Sequence, residues 1–141
     1  MRFFYVLFIV SVISSCGNNA KEIAGIYVKN PSVNTVDSLF LYEKVLNLKT
    51  VNNSDVYCYV QKFYDKKTKR LLFENKSTWW LNKNGRVELD NLYLDADNNP
   101  DDYSHSKEAI ENALISSSLP YINGKIVVDE DRKVYYLKIN K

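Results

Sequence analysis

The chain has 141 residues, 19 basic against 17 acidic side chains and a formal net charge of +2. That balance excludes the basic field that nucleic acid needs and the acidic field that cationic partners need. Eleven tyrosines, six phenylalanines and two tryptophans, set against four glycines and three prolines, predict an ordered, aromatic-rich β fold rather than a disordered chain.

The first element is a short positive n-region, Met1-Arg2, followed by the apolar run Phe3 to Ile13 and then Ser14-Ser15-Cys16. This is the layout of a secretory signal. The run is about half the roughly 20 residues that a bilayer-spanning helix requires, so a removed leader is expected and not a permanent span. Ile13-Ser14-Ser15-Cys16 resembles the bacterial lipobox, which implies cleavage before Cys16 and acylation of its thiol. Two or three acyl chains, each buried methylene contributing about 0.8 kcal/mol, anchor a domain firmly. The alternative is an ordinary leader whose Cys16 pairs later with Cys58. Removing residues 1–15 leaves 126 residues, enough for one domain with a core. With Cys16 lipidated, Cys58 is the only other thiol, and its apolar neighbours Tyr57 and Tyr59 suggest a buried, inert one.

Residues 16–23 are polar enough to read as a tether, and 24–141 as a single β domain. Strands are expected at 24–29, 38–43, 56–64, 71–81 and 87–94, with 45–51 as a further short one. Turn-prone groups separate them at Asn30-Pro31-Ser32, Asn52 to Asp55, Asp65 to Thr68 and Asn82 to Gly85. Leu71, Phe73, Trp79 and Leu81 share one parity while Glu74, Lys76 and Thr78 take the other, so one face is inside and the other wet. Beyond the acidic stretch Asp95 to Asp102 the pattern becomes helical, with Ser104 or Asp102 as cap and Ala109, Ile110, Ala113 and Leu114 as the apolar stripe; Ser116 to Ser118 and Pro120 close it. A terminal hairpin is expected at 125–129 and 133–139. The predicted architecture is mainly β: an antiparallel up-and-down barrel or curled sheet of seven or eight strands with one helix in the C-terminal half.

Gly25-Ile26-Tyr27, Asp37 to Leu41, Tyr57 to Asp65, and Ser77 to Leu81 leading into Gly85 to Leu89 resemble the small lipocalin-like lipoproteins of Bacteroidota, over residues 24–94. The resemblance implies a barrel whose first-strand aromatic, here Tyr27, plugs one end, and a tryptophan marking a middle strand. That family covers the aromatic with an arginine from the final strand, where this chain offers Lys133 and Lys138.

No His/Cys metal cluster, phosphate loop or nucleophile elbow occurs, and the lone His105 reads as a surface residue; a cofactor and an enzymatic activity are not expected. Asp95, Asp97, Asn99 and Asp101 alternate as calcium-loop ligands do, but Pro100 stands where the loop wants glycine and Ser106 where it wants a bidentate glutamate, so a solvated loop is preferred. Tyr27, Tyr57, Tyr59, Phe73 and Trp79 are the candidate lining of a pocket for a small apolar or sugar-like ligand, weighed against simple core packing. Trp80 must face away from Trp79, and an exposed tryptophan there would anchor a protein partner through an apolar patch around Trp80, Tyr64 or Phe40. The expected function is therefore a lipid-anchored envelope module at the outer membrane, non-enzymatic, that binds a small ligand or an immunity or envelope-assembly partner.

Overall fold

The computed structural model describes residues 19–90 and 116–139. These form one short helix, α1 (Ala20–Ile23), and nine strands: β1 (Gly25–Asn30), β2 (Thr35–Lys49), β3 (Asp55–Asp65), β4 (Leu71–Leu81), β5 (Val87–Asp90), β6 (Ser116–Leu119), β7 (Tyr121–Ile122), β8 (Lys125–Asp129) and β9 (Val134–Lys138). All pair antiparallel, in the order β6-β5-β4-β3-β2-β1-β9-β8-β7. The two edges of this sheet, β6 and β7, are consecutive in sequence and separated only by Pro120. Lacking an N–H, Pro120 interrupts the ladder. Its carbonyl still accepts from Val127 N at 2.8 Å, which draws the edges together into a nearly closed antiparallel barrel.

The hairpin turns begin with short polar side chains that take up backbone N–H groups. Asp65 Oδ1 accepts from Lys67 N and Thr68 N, Asn82 Oδ1 from Asn84 N and Arg86 N, and Asp129 Oδ1 from Arg132 N. The Thr68 N–H holds the Asp65 carboxyl below its ordinary value.

Three expectations are corrected, and a fourth lies largely outside the described residues. Among the described residues the strand count is nine because, although two expected strands merge into β2, Tyr121–Ile122 is β7 and Ser116–Leu119, expected to close the helix, is β6, with Leu89 opposite Ser117 and Val87 opposite Leu119. Serines have no strand preference of their own; pairing with β5 supplies it. The body of the expected helix lies outside the described residues, and among these α1 is the only helix. Residues 38–43 and 45–51 belong largely to one long strand, β2, with register shifts between Leu41 and Val45 and between Val45 and Lys49. Finally, residues 19–23, assigned to the tether, are ordered: Asn19 Oδ1 caps α1 by accepting from Lys21 N and Glu22 N, and Ile23 is wholly buried.

The inward parity runs through Tyr27, Leu39, Leu41, Tyr59, Trp79, Val87, Leu89, Ile126 and Tyr136, with Ile23 of α1 closing one end. The up-and-down course puts the β2–β3, β4–β5 and β7–β8 turns at this same end. The β1–β2 loop, the β3–β4 turn and the β8–β9 turn lie at the opposite end, the mouth.

Trp80 does not meet the expectation of exposure: it is only 5% accessible. It does face away from Trp79, but there it packs with Val56 beneath Leu46 and Leu48. Each register shift sets four residues of β2 against two of β3. Such bulges bend a strand and add twist, bringing the second half of β2 over the outer face.

Candidate functional site

Four of the five candidate pocket residues lie in or against the packed core. Tyr27 and Trp79 are fully buried, and Tyr59 nearly so. The Tyr57 ring stacks on Trp79 with centroids 4.8 Å apart, and Trp79 Nε1 donates to Tyr42 O at 3.1 Å. The Tyr27 hydroxyl donates to Ile23 O. The Tyr59 hydroxyl donates to Asp90 O at 3.0 Å and accepts from Asn75 Nδ2 at 3.4 Å. Burial, with Tyr121 beside one and Asp90 beside the other, pushes both of these phenols up. Phe73 sits apart from them near the mouth, 41% exposed, with its ring 5.9 Å from that of Phe63. Cys16, Asp95, Asp97, Asn99, Asp101 and His105 lie outside the described residues. Among the described residues no three His, Cys, Asp or Glu side chains converge as metal ligands.

The mouth holds a site composed of residues that were not singled out from the sequence. Asp37 on β2 is inward-facing and 4% exposed, a charge in the same parity as Leu39 and Leu41. Such a group must be paired and hydrogen-bonded to be tolerated. Tyr136 on β9 donates its hydroxyl to Asp37 Oδ2 at 2.6 Å. Gln61 on β3 donates Nε2 to Asp37 Oδ1 at 3.1 Å and to the Tyr136 hydroxyl oxygen at 2.9 Å. Lys29, at the end of β1, brings Nζ within 3.7 Å of Asp37 Oδ2 and 5.9 Å of the centre of the Tyr136 ring. Burial first, then the Asp37 charge, pushes the Tyr136 phenol up, so it remains a hydrogen-bond donor.

Around this network opens a cleft of about 360 Å³, to which Lys29, Asp37 and Phe63 contribute together with Ser32, Asn34 and Thr35 at the β1–β2 loop. A second concavity, of about 430 Å³, lies where β1 begins, against Ile26, Phe40 and Tyr42. Its wall is mostly apolar and holds no buried charge. The parity of the strands was the available signal for the mouth: Asp37 stands in step with Leu39 and Leu41, and Gln61 with Tyr57 and Tyr59. A polar residue in an apolar file is either a paired core group or a site.

The arrangement suits binding. A fixed carboxylate, an ammonium group and several hydroxyl or amide groups surround one aromatic wall. Among the described residues, too, no helix is long and apolar enough to cross a membrane. Compared with protein-family models, with curated proteins and with solved structures, the chain matches none of them.

Proposed function

We propose that this chain is a lipid-anchored lipoprotein of a bacterial cell envelope, of the small lipocalin-like kind and seated on the outer membrane, whose barrel is a non-enzymatic binding module with its site at the mouth. The carrying observation is the cleft built around the buried Asp37, at the barrel end opposite α1. Asn19, which caps α1, is three residues beyond Cys16, a reach of about 10 Å for an extended chain. Acylation at Cys16 therefore holds the α1 end at the bilayer and turns the mouth toward the aqueous space. The family reading is supported by Tyr27, which fills one barrel end, and by Lys138 of the last strand, whose Nζ lies 5.8 Å from the centre of its ring.

A carrier of an apolar ligand in the barrel is disfavoured by Tyr27, Tyr59 and Trp79, which occupy the interior near α1. A protein partner is the second reading, and exposed Val33, Leu71, Leu72 and Phe73 at the mouth end favour it over the outer face around Trp80.

Fractionation of producing cells tests the anchor. The wild-type chain is expected in the membrane fraction and to incorporate labelled palmitate, and Cys16→Ala is expected to abolish both. A Cys16→Ala product that stays membrane-bound and is processed normally would refute the lipoprotein reading.

A further inference from the structure

We infer that the mouth cleft takes a neutral polyhydroxylated ligand, a pyranose that is either free or the terminal unit of a glycan; this rests on the binding reading above and supplies its ligand class. Charge is the first constraint. Among the described residues, Lys29 and Asp37 are the only charged side chains lining the cleft, and at 3.7 Å they compensate one another. The paired lining has no net charge to draw in an anion or a cation, which suits a neutral molecule.

Hydrogen-bonding type is the second constraint. Lys29 only donates, ionised Asp37 only accepts, and Ser32, Asn34 and Thr35 do both. A hydroxyl group is donor and acceptor at once, and neighbouring hydroxyls on one ring can serve an ammonium and a carboxylate together. The network also fixes Asp37 in advance, since Tyr136 and Gln61 hold its oxygens. Little is then lost in ordering it around a ligand. Phe63, braced by Phe73, supplies one aromatic wall for the C–H face of a sugar ring. The volume of about 360 Å³ falls at the small end of ligand pockets, which are roughly 300–1,000 Å³.

The polar lining also continues inward. Asn75 is the register partner of Gln61, and Ser77 that of Tyr59, both on the inner face of β4. Both are buried, and Asn75 donates Nδ2 to the Tyr59 hydroxyl at 3.4 Å.

The mature full-length chain, labelled with nitrogen-15, would be titrated with D-glucose, D-galactose and N-acetyl-D-glucosamine, and separately with a trisaccharide of each. Acetate, phosphate, spermidine and decanoate are the charged and apolar probes. At least one sugar is expected to shift the amides of Thr35, Asp37 and Phe63 at millimolar concentration. Asp37→Asn and Phe63→Ala should each weaken that binding at least tenfold, while Val45→Ala at the other end leaves it unchanged. Thr35→Val, at an exposed position, provides the same readout should Phe63→Ala fail to fold. Tighter binding of a trisaccharide identifies a glycan end, and equal binding a free sugar. Silence from every sugar with a response at the mouth to a charged or apolar probe overturns the saccharide inference and leaves the binding reading standing. Silence from all probes overturns both.

Discussion

A Cβ on residue 25 would lie 2.6 Å from Lys138 Cε and 3.3 Å from Lys138 Nζ, and the backbone there has φ +150°. The dihedral favours glycine, and a side chain there would also displace the passing end of Lys138. The space lets Lys138 cross β1, place its ammonium 5.8 Å from the centre of the Tyr27 ring and donate to Glu22 O at 2.6 Å. One side chain thus ties the last strand to the first strand and to α1. Gly25→Ala should destabilise the barrel by about 1–3 kcal/mol, the usual range for a residue held in a sparsely populated backbone region. In a Lys138→Ala background the cost should shrink to the part due to the dihedral. Urea unfolding of the four chains measures the coupling. Equal cost in both backgrounds would show that the lysine plays no part in selecting glycine. From sequence, Gly25 and Tyr27 could be noticed as a pair, and Lys138 as a substitute for arginine. That Lys138 passes over Gly25 is set by the β1–β9 register, in which Tyr27 stands opposite Lys138, and no local pattern contains it.

At the scale of elements, β2 departs furthest from expectation. It is 15 residues long where two short strands were predicted, and its bulges convert a strand end into a cover for β3 and β4. Leu46 and Leu48 are only partly buried, whereas Trp80 and Val56 beneath them are 5% and 0% exposed. Removing the cover should cost less than removing the knob. Leu46→Ala is expected to lower stability by about 1–2 kcal/mol, below the range for fully buried leucines, and Trp80→Ala by about 3–5 kcal/mol. Hydrogen exchange adds a regional signature. In Leu46→Ala the amides of residues 43–49 should exchange faster while those of β1 and β9 hold their protection. Uniform acceleration across the barrel would mean that the cover does not open by itself. The strand period assigned Trp79 and Trp80 to opposite faces. It could not tell that both faces are covered, because a bulge depends on how two distant segments pair.

The whole barrel has an alkaline limit. Tyr27, Tyr59 and Tyr136 come from three strands, and burial raises the phenol of each above its ordinary value of 10.0. A raised phenol means that above pH 10 the folded state holds protons that the unfolded chain has released. Stability is therefore full below pH 10 and declines as pH rises beyond it. Circular dichroism and tyrosinate absorbance followed together should show the buried phenols of Tyr27, Tyr59 and Tyr136 ionising only as the fold is lost. Ionisation of all the tyrosines in one step while the fold persists would contradict this.

The amino-acid sequence by itself determined the positions of β1, β3, β4, β8 and β9, the turn chemistry and the inward parity of the barrel wall. These depend on alternation and on short polar residues acting within a few positions, as at Asp65, Asn82 and Asp129. The lipobox is of the same local kind, and the anchoring proposal rests on it. Tertiary structure alone decided how the sheet closes at Pro120, that Ser116–Leu119 is a strand, that Ile23 plugs one end, and that Lys29, Asp37, Gln61 and Tyr136 meet at the other. Each of these depends on contacts between segments far apart in the chain; Tyr136 reaches Asp37 across 99 residues. Their free energy comes from pairing and burial that exist only after the strands are assembled.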